Sequence, residues 1–240
     1  MTGNTLHLEG TALQIDREVR SMALTSYGYG CWNAPCWFLG PEQGMARNEN
    51  GNLGGRIEAW CHFGSRELDD CREFHFRIKE ERWHGKNAIL QPTWAKLLLA
   101  LEAFSPKDDG DRLEYQKWKW GCQPGETCVI ELSGLAANNL NVDRDRESFL
   151  DKRIEHIRTR LHEYEPEFVI LYGKTAGCRK AWRELTKGAE TMVEENPPFA
   201  KFRRCGPTLL AWTRHPVARG ETNEKWTRLG IRLRQLADPS

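Results

Sequence analysis

Apolar and polar positions along this chain fall into blocks whose periods predict strands and helices in turn. Strands are predicted at Cys36–Leu39, Thr127–Leu132, Phe168–Tyr172 and Pro207–Trp212. Of these, Phe168–Tyr172 is a continuous apolar run, which is typical of a parallel strand that is buried on both faces. Helical spacing of apolar residues predicts helices after Pro92, from Ser148 to Tyr164, after Gly173 and after Thr222. This order predicts an α/β fold with three α/β/α layers and a central, mostly parallel sheet.

The same pattern bears on domain organisation. Because the chain has no internal repeat and no convincing linker, we predict a single domain over residues 1–240. A highly charged stretch starts at residue 64, and we interpret residues 64–120 as an insertion or lid that selects substrate. Residues 48–55 are polar and rich in glycine, which predicts a loop. Thr93 is the predicted N-cap of the helix after Pro92.

Composition narrows the class of protein. The chain is 39% apolar and 29% charged, as is typical of a soluble globular protein. No signal peptide and no apolar run of membrane-spanning length is visible in the sequence, so we expect a cytoplasmic protein that does not bind membranes.

Metal and cofactor chemistry are not expected from the cysteine and histidine spacing. The eight cysteines include no CxxC pair and predict buried, reduced thiols. Cys31/Cys36 and Cys122/Cys128 are the spacings closest to an iron–sulfur or zinc site, but tight pairs are missing. His75 and His84 also lack a ligand-like spacing, which favours structural roles. We therefore predict no metal and no cofactor.

Charge is unevenly distributed. The net charge is only +1, yet nine basic residues between Phe199 and Arg234 are opposed by Glu221 and Glu224 alone. Such a basic end is consistent with a surface that faces phosphates. A solvated helix face, with arginines that promote solubility, is the alternative.

Two bends at strand ends carry the candidate chemistry. The first is Gly40-Pro41-Glu42-Gln43-Gly44 and the second is Arg214-His215-Pro216-Val217. In open α/β sheets, ligands bind beyond the carboxyl ends of the strands. The plainer alternatives are a solvated Glu42 on an ordinary loop and a His215 that caps a strand–helix junction.

These two bends, with the Tyr164–Ala176 block of helix end, proline, strand and Gly-Lys-Thr-Ala turn between them, resemble the uracil-DNA glycosylase superfamily. The resemblance covers somewhat under half the chain. It implies a uracil-DNA glycosylase-like fold and hydrolysis of an N-glycosidic bond in DNA. It also implies that Glu42 orients the attacking water and stabilises a sugar cation, and that His215 stabilises the departing base.

The resemblance also implies roles in substrate binding. The backbone at Gly40, Pro41, Gln43 and Gly44 would approach the nucleotide. Arg214 and Arg219 would hold phosphates, and a side chain from Val217 to Arg219 would wedge into the stack as the base is flipped out. One of Trp32, Trp37 and Trp60 would stack on that base.

This chain departs from the superfamily's pattern at positions that bear on base choice. Its proline precedes Glu42 rather than following it, and Val217 stands where serine or alanine is common. Where a strand usually ends in a base-reading asparagine, this chain has Glu131, and Asn138 and Asn139 lie beyond. A carboxylate at Glu131 favours a base with an exocyclic amine, such as cytosine or a modified cytosine.

We therefore predict a monomeric DNA glycosylase that removes uracil or, in preference, a modified base. Such an enzyme would serve DNA repair or antiviral defence against foreign DNA. Two alternatives stay open. One is a non-catalytic protein that binds DNA or a nucleotide on the same fold, and the other is a nucleotide or nucleoside hydrolase.

Overall fold

The computed structural model describes residues 17–42, 52–106, 111–135, 143–191 and 199–238, with the backbone alone at residues 42, 52, 143–148 and 191. In this part of the chain the strands are β1 (Gly28–Tyr29), β2 (Cys36–Glu42), β3 (Leu68–Asp69), β4 (Thr127–Ser133), β5 (Phe168–Tyr172), β6 (Glu190–Thr191), β7 (Ala200–Cys205) and β8 (Thr208–Thr213). The helices are α1 (17–25), α2 (Asn52–His62), α3 (Cys71–Arg77), α4 (Pro92–Phe104), α5 (Arg112–Trp118), α6 (Asp143–Tyr164), α7 (Ala176–Leu185) and α8 (Asn223–Ala237), with a 3-10 turn at Glu81–Trp83.

The described strands form one mixed sheet in the order β3-β1-β4-β2-β5-β8-β7-β6. Its centre, β4-β2-β5-β8, is entirely parallel, whereas β1 runs antiparallel to β4 and β7 runs antiparallel to β8. The predicted α/β class with a mostly parallel sheet is therefore confirmed. Among the parallel strands, β4 follows β2 in the sequence and lies on one side of it, and β5 comes next and lies on the other side. A topological switch point therefore lies between β2 and β5.

Helices cover both faces of this sheet. Residues of α6 and α7 pack on one face with Leu39, Ile130 and Leu171. Residues of α1, α2, α4 and α8 pack on the other face, which includes Phe38 and Ile170. This arrangement is compatible with the predicted three layers. It follows from strands such as β5, where all five residues are buried and both faces need an apolar cover.

Helix α4 belongs to one of these layers although it lies within the predicted insertion or lid. Six of its residues are buried, and it packs closely against α8. A Cβ added to Gly230 of α8 would lie 2.0 Å from the carbonyl oxygen of Ala100, so the two helix backbones touch at this point. Residues 92–104 therefore contribute to the core.

Several local predictions are wrong. Residues 52–55 lie in α2 rather than in a loop. The N-cap of α4 is Gln91, whose side chain accepts from the backbone N–H of Trp94, and not Thr93, because Pro92 already occupies the first helical position. Strands β1, β3, β6 and β7 were not predicted, since three of them have two residues and too few positions for a period. The predicted cap of α8 at Thr222 is confirmed.

Candidate functional site

Four strand ends bring distant parts of the sequence to one edge of the sheet. Residue Glu42 pairs with Ser133 across β2 and β4, and Leu39 pairs with Leu171 across β2 and β5. Strand β8 adds Thr213 beside Tyr172. The two predicted bends therefore leave the same edge, separated by β5. This is the edge at which ligands bind in sheets of this kind.

The end of β2 is closely packed against the end of β5. A Cβ added to Gly40 would lie 2.4 Å from the hydroxyl oxygen and 2.6 Å from Cζ of Tyr172, and 2.8 Å from Oε2 of Glu131. No real Cβ tolerates such distances, so Gly40 lets the strand pass directly over these two side chains. Beyond Tyr172, Gly173 turns the chain with a φ of +111°, next to the ring of Pro41.

His215 lies one ring away from this crowded point. Its imidazole meets the ring of Tyr172 edge on, with 5.5 Å between the centroids. Its Nδ1 accepts a hydrogen bond from the backbone N–H of Val217 at 3.4 Å, which leaves the proton of the neutral ring on Nε2. Burial lowers the pKa of His215 below its usual 6.5. At neutral pH the half-buried ring is therefore an uncharged donor through Nε2.

A basic groove, lined in part by Lys174, Arg179, Lys201, Arg214 and Lys225, runs beside His215 and has a volume of about 520 Å³. Phe199 and Trp212 line it too, and Glu221 is the one acidic side chain among its lining residues. Lys201 Nζ lies 5.6 Å from the centre of the Trp212 ring. Positive charge beside these partly exposed aromatic side chains suits a polyanion that carries flat bases.

The floor of the groove is tied to the end of β5. The indole N–H of Trp212 donates to the carbonyl oxygen of Gly173 at 2.8 Å, which fixes β8 against the β5 turn. Lys225 is partly neutralised, because its Nζ donates to the Gly220 carbonyl at 2.7 Å and lies 3.8 Å from Glu221. Arg214 is exposed, with no ion pair recorded among the described residues. Lys174, Lys201 and Arg214 are thus exposed groove cations that are available to a ligand.

Glu131 lies under the site rather than on its surface. Its side chain is buried, with Oε2 near Gly40, and its charge raises the pKa of Tyr172, in addition to the larger effect of burial. The buried Arg153 of α6 provides the compensating charge. Its guanidinium donates to the carbonyls of Glu131, Leu132 and Ala23 at 2.7, 2.9 and 2.8 Å. Burial lowers the pKa of Arg153 to about 10, so it stays cationic at neutral pH.

The remaining predicted site residues are placed as follows. Gly40 and Pro41 lie in β2, and Glu42 ends it, although the side chain of Glu42 is outside the described residues. Gln43, Gly44, Asn138 and Asn139 also lie outside the described residues. Val217 and Arg219 are exposed on the turn after His215. The structure thus brings together the backbone of the first bend, Glu131, His215 and Arg214.

The three tryptophans proposed to stack on a base are core residues. Trp32, Trp37 and Trp60 are all buried, and their indole N–H groups donate to Glu67, to the Ala34 carbonyl and to the Arg66 carbonyl. The prediction that one of these rings stacks on a base is therefore wrong, because all three rings are packed in the core and none lies on the rim of the site. Trp212 and Tyr172 are the aromatic residues that the sequence reasoning missed. Both lie at the carboxyl ends of predicted parallel strands, and this position in the sequence could have identified them as site residues.

A second cavity of about 240 Å³ lies at the opposite end of the strands. It is mostly apolar and is lined in part by Pro35, Leu98, Phe104 and Tyr115. No strand-end bend reaches it, so we assign no chemistry to it. Of the four cysteines considered for a cluster, none belongs to a metal-ligating group of three or more among the described residues.

Comparison of the chain with protein-family models, with curated proteins and with solved structures finds no match. None of the described helices is both long enough and apolar enough to cross a bilayer. The site offers a neutral imidazole donor and, beside it, a basic groove lined in part by aromatic residues.

Proposed function

We propose that this protein is a DNA glycosylase that hydrolyses the N-glycosidic bond of a flipped-out base. The observation that carries the proposal is His215, a neutral Nε2–H donor between the β2 bend and the basic groove. Glycosidic cleavage leaves negative charge on the departing base, and a preorganised neutral donor stabilises that charge. The resemblance noted in the sequence supports the same reaction.

In this mechanism the groove holds the DNA backbone. Lys201 and Arg214 contact phosphates, which fixes the strand without reading its sequence. The base leaves the stack and enters beside His215, at the edge where β2 and β5 end. Exposed Val217, on the turn after His215, fills the space that the base vacates.

The chemical step divides between the two bends. The bond between C1′ of the sugar and the base nitrogen breaks, and its electron pair stays on the base. Glu42 orients a water whose oxygen bonds to C1′, and the carboxylate takes the proton released from that water. His215 donates from Nε2 to the base as its negative charge develops. The products are the free base and an abasic site.

Glu131 sets the expected base preference. A carboxylate near the base accepts a hydrogen bond from an exocyclic amine, which cytosine and its modified forms carry and uracil lacks. Since Glu131 is buried beside Gly40 and Tyr172, it acts from beneath the base rather than from the rim. We therefore expect modified cytosines to react in preference to uracil.

The test is a panel of single- and double-stranded oligonucleotides that carry uracil, cytosine or modified cytosines. Abasic sites are scored by alkaline strand cleavage. We expect product from at least one base, and a rate roughly 10²-fold to 10⁴-fold lower in Glu42→Gln and His215→Ala. Glu155→Gln and His162→Ala, on the outer side of α6, are matched controls and should stay within about twofold of the wild type.

Folded wild-type protein that yields no abasic site from any base would contradict the proposal. The basic groove favours one other candidate, a non-catalytic DNA-binding protein, because the cations of the groove could bind DNA without any contribution from Glu42. In that case the wild type and Glu42→Gln would bind DNA equally and neither would release a base. Activity on free nucleosides, with little dependence on salt, would instead indicate a nucleoside hydrolase.

A further inference from the structure

Away from the proposed active site, one thiol and two imidazoles converge in the interior. Cys71 and His75 lie one turn apart on α3, and His84 follows the 3-10 turn at Glu81–Trp83. All three side chains are buried, and each offers one ligand atom within 4.8 Å of the others. No other group of three or more potential metal ligands of this kind occurs among the described residues.

The distances within this cluster match those of a tetrahedral zinc site. Sγ of Cys71 lies 3.5 Å from Nδ1 of His75 and 3.6 Å from Nε2 of His84. Zinc–sulfur bonds of about 2.3 Å and zinc–nitrogen bonds of about 2.0–2.1 Å, at a tetrahedral angle, separate sulfur from nitrogen by about 3.5–3.6 Å. The two sulfur–nitrogen separations are therefore those of a single ion, and the two nitrogens lie within 4.8 Å of each other.

The surrounding residues hold His84 in the orientation that a metal ligand needs. Its Nδ1 donates to the carbonyl oxygen of Lys117 at 3.4 Å, so Nε2, the nitrogen that faces Cys71, carries the lone pair. Fully buried Gln116 fixes the loop on either side, because its amide donates to the carbonyls of Trp83 and Ile89. The ring of Trp94 packs against both His75 and His84, with 5.8 Å between centroids in each pair.

His75 has a competing partner within the chain. Its Nδ1 lies 2.6 Å from the carbonyl oxygen of Cys71, one turn earlier in α3. A metal bound through this nitrogen would replace that hydrogen bond with a coordinate bond, and the ring would turn so that the lone pair of Nδ1 points at the ion instead of the carbonyl oxygen.

Charge balance also suits a divalent cation. Asp70, the N-cap of α3, lies beside Cys71 and His84, and its two oxygens accept from the backbone N–H groups of Glu73 and Gln123. A deprotonated Cys71 together with the Asp70 carboxylate would offset the two charges of the ion. The positive charge of nearby Arg56 acts in the opposite direction.

We propose that Cys71, His75 and His84 bind one zinc ion, which fixes α3 and the following loop against α4 and α5. One sulfur and two nitrogen ligands form a donor set that zinc prefers. Cys122 lies outside the 4.8 Å group, so Cys71, His75 and His84 are the protein ligands of the proposed ion. The site is structural, and it does not depend on the glycosylase proposal.

The test uses the full chain without a histidine tag. Zinc is measured by elemental analysis after purification, removed with a chelator and replaced by Co²⁺ as an optical probe. We expect one metal per chain, the visible absorption of tetrahedral cobalt and a thiolate-to-cobalt charge-transfer band. Chelation should lower the melting temperature, and added zinc should restore it.

Variants assign the ligands. Cys71→Ser should abolish the charge-transfer band, and His84→Ala should weaken cobalt binding at least about tenfold. Cys128→Ser, which changes a thiol that is equally buried but lies in β4, is the matched control and should keep the band. Folding of each variant is checked by circular dichroism. Folded wild-type protein that binds no stoichiometric metal and shows no such band in excess Co²⁺ would overturn the assignment, as would a band that persists in folded Cys71→Ser.

Discussion

The rings of Tyr172 and His215 meet edge to face, with centroids 5.5 Å apart and planes inclined at 73°. Tyr172 is the last residue of β5, and its hydroxyl lies against Gly40 of β2 on the other side. One buried side chain therefore separates the bend that ends β2 from the bend that follows β8. The relationship joins residues that are far apart in the sequence.

Gly40 should tolerate no side chain. An alanine there would force Cβ to within 2.4 Å of the Tyr172 hydroxyl, so we expect Gly40→Ala to lower the free energy of unfolding by about 1–3 kcal/mol. Urea denaturation measures this loss. Gly54→Ala is the control, because the added Cβ in α2 meets nothing within 4 Å and should stabilise the helix by about 0.5–1 kcal/mol. If Gly40→Ala lowers the free energy of unfolding by the same amount in a Tyr172→Ala background, contact between the added Cβ and the Tyr172 side chain is not the cause of the loss.

The groove cations should contribute to DNA affinity through charge alone. We expect Lys201→Ala and Arg214→Ala each to weaken DNA binding to a similar degree on any sequence. Each should also reduce the slope of log affinity against log salt concentration by about 1. Fluorescence anisotropy at several salt concentrations measures both effects. Lys152→Ala, an exposed lysine on α6 outside the groove, should change neither. An unchanged slope in both groove variants would exclude the groove as the phosphate contact.

Arg153 should be essential for stability through the shape of its guanidinium as well as its charge. Lysine keeps the charge but cannot reach three carbonyls at fixed angles, so Arg153→Lys should lower the free energy of unfolding by about 2–4 kcal/mol. Arg158→Lys on the same helix, where the side chain is partly exposed, should change it by no more than about 0.5 kcal/mol. Equal unfolding midpoints in urea for the two variants would contradict this role.

Asp69 should make stability depend on pH. Burial raises its pKa to about 7, opposed by Arg66 and aided by Asp70, and its Oδ1 has no hydrogen-bond partner among the described residues. The folded state therefore holds a proton that the unfolded state releases near pH 4. This contribution is fully present below about pH 4 and is lost as the pH rises through 7.

Asp69→Asn removes that titration. We expect the variant to gain stability relative to the wild type as the pH rises from about 4 to 8, by about 1–3 kcal/mol in total. Melting temperatures of both proteins across this range measure the difference. An offset between them that stays constant with pH would mean that Asp69 ionises normally in the folded protein.

Local pattern determined much of the architecture. The buried run of β5 and the amphipathic stripe of α6 are legible because their periods extend over enough residues to specify a face. The same pattern located both bends at strand ends, and parallel strands end at a common edge. The sequence therefore predicted that Gly40 and His215 would leave the same side of a sheet.

The tertiary structure alone decided which side chains meet. Strands β1 and β3 have two residues each and exist because of their pairing partners, so no local period predicts them. Tyr172 reaches both bends only because β5 lies between β2 and β8. Cys71, His75 and His84 converge because buried packing of the loop after α3 against α4 and α5 turns an uninformative spacing into a set of ligands. Such contacts depend on the order of strands and the packing of helices, and the pattern along the chain encodes neither directly.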